Sequence, residues 1–112
     1  MGSGNKSSAT RKDTPPSEET AKKWIQEWCE YDRSICMSVH LKRDRAYRSI
    51  TLRDCKHVLQ TGELQYPPEW DERHQNWVFK QCGVDLDGDP LTLVFRFDPP
   101  NVRIVIITGE GE

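Results

Sequence analysis

One segment of the chain places an acid–base side chain beside a group of cations. His40 ends a strand-like run of residues, and Arg43, Arg45 and Arg48 follow it closely. Histidine changes its charge near neutral pH, and arginine binds phosphate oxygens through paired N–H donors. This combination predicts chemistry on a phosphate-containing ligand, with His40 and Arg48 as the catalytic candidates.

The reaction that suits these residue types is metal-independent cleavage of RNA. It requires a base for the 2′-hydroxyl, an acid for the leaving oxygen and cations on the phosphate. The candidates for binding the nucleic acid are Arg43, Arg45, Arg73, His74, Lys80, Arg96 and Arg103. An alternative interpretation is that the strand cations only keep an open sheet soluble, and that His40 only fixes its own loop through local hydrogen bonds.

The charge distribution favours an anionic ligand at one place only. The chain has 112 residues and a net charge of −2, which excludes a general attraction to nucleic acid or to anionic membranes. Between Leu41 and His57, six cations and two carboxylates give +4, whereas the ten cations and sixteen carboxylates elsewhere give −6. A solvated basic surface without a ligand is the alternative interpretation.

The sequence predicts neither a cofactor nor a metal ion. It lacks a P-loop, a dinucleotide-binding fingerprint and a nucleophilic-serine motif. Asp85, Asp87 and Asp89 imitate the start of a calcium loop, but Arg96 stands where the twelfth position needs glutamate, so we expect a hairpin tip with solvated acids. The histidines and cysteines do not have the close pairwise spacing that zinc sites use.

Two helices are predicted from apolar residues at helical spacing. The first extends from an N-cap at Ser17 to Tyr31, with Trp24 and Trp28 toward the core. The second begins at Thr51, with Asp54 three residues later, and ends at Gly62 in a left-handed conformation. The buried face of this second helix consists of Leu52, Cys55, Val58 and Leu59, with His57 on the exposed side.

The remaining segments are predicted to form strands. Their ranges are 35–39, 63–66, 76–86, a clean alternation over 91–97, and 102–108, with a short helix at 41–48 and a loop at 67–72. Asp87-Gly88 is typical of a tight hairpin turn. Short turns require antiparallel pairing, so the fold class is α+β, with two helices packed on a mainly antiparallel sheet that ends in a three-stranded meander.

The chain is expected to contain one domain at residues 17–108. Residues 1–16 are poor in apolar side chains and are predicted to be a disordered arm or a remnant of an expression tag, and residues 109–112 a frayed tail. No apolar run is long enough to cross a bilayer, and the four cysteines lack paired spacing, so we expect a cytoplasmic protein with reduced thiols.

The order of these motifs resembles the DUF4258 family. The matching residues are His40, then Arg48-Ser49-Ile50-Thr51, Asp54, Val58-Leu59, Gly62-Glu63-Leu64, and finally Val105-Ile106-Ile107-Thr108. The similarity extends from Ile25 to Thr108. Leu41, Asp44 and Ser49 depart from residues that the family prefers.

The resemblance implies a bacterial domain similar in layout to the RelE-like and MqsR-like toxins, which cleave messenger RNA. The function expected from it is an RNA-binding, metal-independent endoribonuclease of toxin type. The alternative is a non-catalytic module whose sheet binds a protein partner, such as an antitoxin or another regulator.

Overall fold

A computed structural model describes residues 14–37 and 50–111 of the chain. They form two α-helices and a five-stranded sheet, with short 3₁₀ turns at Asp32–Ser34 and Pro99–Asn101. The elements are α1 (Glu18–Trp28), β1 (Ile35–Met37), α2 (Leu52–Thr61), β2 (Glu63–Asp71), β3 (Asn76–Val84), β4 (Pro90–Asp98) and β5 (Arg103–Gly111).

The strand order across the sheet is β1-β5-β4-β3-β2. Strands β2 to β5 pair antiparallel with their neighbours in sequence, and β1 pairs parallel with β5, where Ile35 faces Ile104 and Met37 faces Ile106. The predicted α+β class is confirmed, and β2 joins the three strands of the expected meander.

Both helices begin at the residues that the sequence predicts. The Ser17 hydroxyl accepts a hydrogen bond from the Thr20 backbone N–H at 3.1 Å. Thr51 and Asp54 form a reciprocal capping box, with N–H···O distances of 3.1 Å and 3.0 Å. Each cap satisfies backbone donors that a helix start leaves without intrahelical partners. Helix α1 ends at Trp28, before the predicted end at Tyr31.

The predicted reason for Gly62 at the end of α2 is wrong. Its backbone is extended, with φ of −83°, so no left-handed conformation requires glycine there. Instead, a Cβ atom at this position would lie 2.4 Å from the Cys82 carbonyl oxygen and 2.8 Å from that of Val58. Gly62 is therefore required by the close approach of the helix end to β3.

The core lies between the helices and one face of the sheet. It contains side chains from α2 and alternate residues of β3, β4 and β5: Cys55, Val58, Leu59, Phe79, Leu91, Leu93, Phe95, Phe97, Ile104 and Ile106. Trp24 and Trp28 stack at 5.1 Å between ring centroids, and both meet Phe97 edge-on. The predicted core-facing tryptophans are thus confirmed.

Strand β2 continues through residues that the sequence assigns to a loop. It runs on to Asp71, with a shift of register between Gln65 and Glu69. Proline cannot donate a ladder hydrogen bond, but Pro67 and Pro68 lie on an edge strand at this irregularity, where the sheet tolerates proline. Other strand ends differ slightly: β3 stops at Val84 instead of residue 86, and β5 reaches Gly111 instead of residue 108.

The hairpin turn at Asp87-Gly88 is confirmed, but one of its acids is not solvated. Gly88 has φ of +86° and its N–H donates to the Asp85 carbonyl. Asp85 itself is 2% exposed, and its carboxylate accepts the backbone N–H groups of Asp87 and Asp89 at 2.9 Å and 3.0 Å. The first acid of the calcium-like sequence therefore holds the turn together.

Candidate nucleic-acid interface

The sheet has one face that neither described helix covers, and we call it the open face. It includes these residues of β3, β4 and β5 that alternate with the core residues: Val78, Lys80, Cys82, Thr92, Val94, Arg96, Arg103, Val105 and Ile107. Successive side chains of a strand point to opposite faces, so every cation in this set projects away from the helices.

Three predicted binding residues form a diagonal row on the open face. Lys80 of β3 pairs in register with Val94 of β4, and Arg96 lies two residues beyond Val94. Arg96 pairs with Val105 of β5, and Arg103 lies two residues before Val105. Diagonal neighbours on adjacent strands are roughly 7–8 Å apart, so the row crosses three strands with regular spacing.

The first two cations of the row form no ion pair with the carboxylates of residues 14–37 and 50–109. The side chain of Lys80 is exposed and that of Arg96 is half-buried beside Val94. A cation without an internal partner can exchange water for a phosphate oxygen without first breaking an ion pair. Lys80 and Arg96 are therefore the cations of the open face that an anion could reach without breaking a described ion pair.

The third cation is already engaged. Arg103 Nη2 lies 3.1 Å from Asp98 Oδ2, and Asn101 Nδ2 donates to the same oxygen at 2.9 Å. The hydrogen bond from Asn101, followed by the ion pair with Arg103, holds the pKa of Asp98 below its ordinary value. Asp98 thus cancels much of the positive charge that Arg103 would bring to a ligand.

Carboxylates limit the open face on the side of β2. Glu69 pairs in register with Val78, and Glu63 pairs with Cys82, so both side chains flank Lys80. Like charges repel, and an anionic ligand would avoid this edge. The favourable path for such a ligand leads from Lys80 toward β4 and β5.

Two other predicted residues lie at the β2–β3 turn. His74 Nδ1 is 2.7 Å from Asp71 Oδ2, and this hydrogen bond lowers the pKa of Asp71. The exposed Arg73 donates its backbone N–H to the other oxygen of Asp71 at 3.0 Å. Strand β3 begins at Asn76, and Lys80 lies four residues further, roughly 13 Å along the strand. The structure therefore does not bring His74 into the row.

The catalytic half of the predicted site lies outside the described residues. His40, Arg43, Arg45 and Arg48 all belong to the range 38–49, as does the predicted helix at 41–48. Their assignment to catalysis and to RNA binding stays a prediction. His57 lies on α2, on the side of the sheet opposite Lys80, and does not belong to the open face.

No described group of His, Cys, Asp and Glu side chains could hold a metal ion within residues 14–37 and 50–111. The cysteines in these ranges are free thiols. Burial raises the pKa of the Cys55 thiol to about 12, so this cysteine stays protonated in the core. These side chains offer neither a metal centre nor a reactive buried thiolate.

Sequence reasoning missed two features of the open face. Its outward positions are partly apolar, at Val94, Val105 and Ile107, although an open antiparallel sheet usually alternates apolar and polar residues. The alternation of core and outward residues over 91–97 and 103–107 contains this signal. The pairing of Asp98 with Arg103 had no such signal, because it depends on the register of the β4–β5 turn.

Comparison with protein-family models gave a match. The model of DUF4258, a domain of unknown function, matches residues 37–108, which is more than half of the chain. This chain belongs to the DUF4258 family. The match includes α2, β2, β3 and β4 and ends within β5, so the DUF4258 domain supplies the whole row of open-face cations. The predicted family is confirmed.

Other comparisons add nothing to the family assignment. Curated proteins and solved structures gave no match. Among the described residues of the DUF4258 domain and its N-terminal helix, no helix has both the length and the apolar character needed to cross a membrane.

Proposed function

We propose that this DUF4258 domain binds RNA on its open face and cleaves it without a metal ion. The row of Lys80, Arg96 and Arg103 on three adjacent strands carries the proposal. Lys80 and Arg96 bind phosphate oxygens, and Arg103 contributes less because Asp98 holds it. His40 and Arg48 are the residues that act in the cleavage step.

The chemical reasons for a phosphate ligand are the type and the spacing of these groups. Guanidinium and ammonium groups form their strongest hydrogen bonds with anionic oxygens. Their separation across the strands allows one nucleic acid strand to offer a phosphate to each in turn. Val94 and Val105, between the cations, give apolar contact to sugars and bases without selecting a sequence.

In the proposed reaction, His40 takes the proton of a ribose 2′-hydroxyl. The 2′-oxygen attacks the adjacent phosphorus, and the bond from phosphorus to the 5′-oxygen breaks. A protonated group returns a proton to that oxygen, which leaves a cyclic phosphate and a 5′-hydroxyl. Arg48 stabilises the negative charge that develops on the phosphoryl oxygens.

Binding is tested by reversing single charges. We expect Lys80→Glu and Arg96→Glu each to weaken the affinity for a short labelled single-stranded RNA by about tenfold, because each loses a charge-assisted contact. Fluorescence anisotropy measures the affinity. Lys23→Glu is the matched control, since it makes the same charge change on the exposed side of α1. Equal weakening in all variants would contradict a site on the open face.

Cleavage is tested separately, with His40→Ala. We expect this variant to bind the same RNA as tightly as the natural chain but to produce no cyclic phosphate ends. A chelator should leave the activity of the natural chain unchanged. Cleavage retained by His40→Ala would remove His40 from the mechanism.

A second candidate function is docking of a protein partner on the open face. The observation that favours it is the apolar character of Val94, Val105 and Ile107, because a purely solvated face does not need such residues. The two functions differ in their salt dependence. Phosphate binding weakens steeply at high salt, because releasing counterions into concentrated salt gains less free energy, whereas apolar docking changes little.

A further inference from the structure

The first residues of β2 form a sheet edge on which no second described strand is paired. Strand β2 is the outermost strand, and Glu63, Leu64 and Gln65 pair only with β3 among the described residues. Along such an edge, alternate residues point their N–H and C=O groups away from the sheet. Further along β2, the irregularity and two prolines interrupt this regular edge, so its usable part lies at Glu63–Gln65.

A groove of about 560 Å³ lies beside this edge. Its walls come from α1, the end of α2 and the start of β2, and they include Ile25, Leu59 and Leu64 as apolar groups. Leu64 pairs in register with Gln81, which places it on the helix side of the sheet. A strand added to β2 would therefore point the side chain opposite Leu64 into the groove.

The floor of the groove includes a buried amide with an unused acceptor. Gln81 is 3% exposed, and its Nε2 donates to the carbonyl oxygens of Val58 and Leu59, both at 3.1 Å. Carbonyl oxygens only accept, so this contact fixes which end of the amide faces α2. The Gln81 Oε1 atom is buried and has no hydrogen-bond partner. This oxygen therefore lacks a hydrogen-bond donor, and a hydroxyl group of an occupant of the groove is a donor of the required kind.

The charges at the edge determine which side-chain charge a bound peptide should carry. Lys22 Nζ lies 3.3 Å from Glu18 Oε2, so the one lysine that lines the groove is paired with a carboxylate. Glu63 forms no ion pair with any described cation, and its side chain lies on the opposite side of β2 from Leu64. A residue opposite Glu63 on an added strand would thus meet a carboxylate that forms no ion pair with a described cation.

We propose that Glu63–Gln65 accept an extended peptide of a partner protein as an additional strand. Its side chains alternate: a basic residue faces Glu63, and the next residue, β-branched with a hydroxyl donor, enters the groove toward Gln81. Main-chain hydrogen bonds to β2 supply affinity, and the two kinds of side chain supply selectivity. This site is distinct from the cation row of the proposed RNA interface.

The test is an NMR titration of the full chain with a capped pentapeptide of alternating lysine and threonine. We expect shifts in the backbone amides of Glu63–Gln65 and in the Gln81 side-chain amide. The same peptide with glutamate in place of lysine should bind at least about fivefold more weakly, because charges opposite each other on paired strands then repel. Absence of shifts at these groups, or equal affinity for both peptides, would overturn the proposal.

Two charge reversals on the same strand provide the matched comparison. Glu63→Lys should weaken binding of the lysine peptide at least about fivefold, whereas Glu69→Lys, an equally exposed position beyond the irregularity of β2, should change it less than about twofold. Equal effects of the two substitutions would show a general charge effect and would also overturn the site.

Discussion

At the scale of residues, the open face has one cation held by an ion pair and two that form none with the described carboxylates. Arg103 donates to Asp98, whereas Lys80 and Arg96 form no such ion pair, although the charge of Arg96 also acts on Asp98. The hydrogen bond from Asn101, followed by that from Arg103, lowers the pKa of Asp98, and both bonds lie at the β4–β5 turn. The charge that a phosphate meets therefore depends on Asp98 as much as on the arginines.

Replacing Asp98 by asparagine should improve RNA binding. The substitution releases Arg103 for a phosphate contact and keeps the size of the side chain. We expect tighter binding at low salt, and a slope of log affinity against log salt that is steeper by about 0.7, the value for one added contact to a single strand. Glu19→Gln, which makes the same charge change on α1, should leave the slope unchanged. An unchanged slope in Asp98→Asn would contradict a role for Arg103.

The lowered pKa of Asp98 also predicts a pH-dependent contribution to stability. A carboxyl group whose pKa is lower in the folded state than in the unfolded state stabilises the fold above its ordinary pKa. This contribution disappears as pH falls through the lowered folded-state value. The free energy of unfolding in urea should therefore differ between the natural chain and Asp98→Asn near neutral pH, and the difference should shrink in acid. A constant difference would contradict the pairing.

Thiol labelling should separate the cysteines by burial. Cys55 is buried, so its thiol is not accessible in the native state. Burial also raises its pKa to about 12, so the thiol is not ionised. A disulfide reagent at mildly alkaline pH should modify the exposed Cys82 rapidly, and Cys55 and Cys29 only as the chain unfolds. Peptide mass spectrometry identifies the labelled sites, and fast labelling of Cys55 in native protein would contradict this packing.

At the scale of elements, the end of α2 and the start of β2 depend on one close contact. Gly62 leaves room for the β3 backbone, and this contact brings β2 alongside β3, where it forms both the edge of the sheet and the wall of the groove. The capping box at Thr51 fixes the other end of α2. The position of β2 therefore follows from how α2 ends.

Substitutions at Gly62 test whether glycine is required there by steric crowding or by a left-handed backbone conformation. Gly62→Ala should lower the free energy of unfolding by about 1–3 kcal/mol, because the added Cβ overpacks against two carbonyl oxygens. Asparagine tolerates left-handed backbone better than alanine does. Gly62→Asn should nevertheless be at least as destabilising as Gly62→Ala. Urea unfolding measures both, and a milder effect of asparagine would restore the left-handed explanation.

Local signals were sufficient for the helices and for most strands. Capping residues and helical spacing predicted the starts of α1 and α2, and strict alternation predicted β4. The sequence did not reveal why Gly62 is glycine or that β2 continues past Pro67, because both depend on contacts between segments distant in sequence. For the same reason, the sequence predicted Lys80, Arg96 and Arg103 as binding residues but did not reveal that Asp98 binds one of them.

At the scale of the whole molecule, the helices and the cations occupy opposite sides of the sheet. The helices bury one face in the core, and the open face presents a short basic row in a chain whose net charge is −2. Such a chain has little long-range attraction for RNA, so binding must depend on a few local contacts. The number of these contacts sets how strongly salt weakens the complex.

The most direct test of the RNA interface is an NMR titration of the full chain with single-stranded RNA at low and at high salt. We expect amide shifts in Lys80, Val94, Arg96 and Val105 at low salt, with little change at Lys23 on α1. High salt should reverse most of these shifts, because contacts with phosphates hold the complex. If the open-face amides do not shift at low salt, or if their shifts do not respond to salt, the proposed RNA interface is wrong.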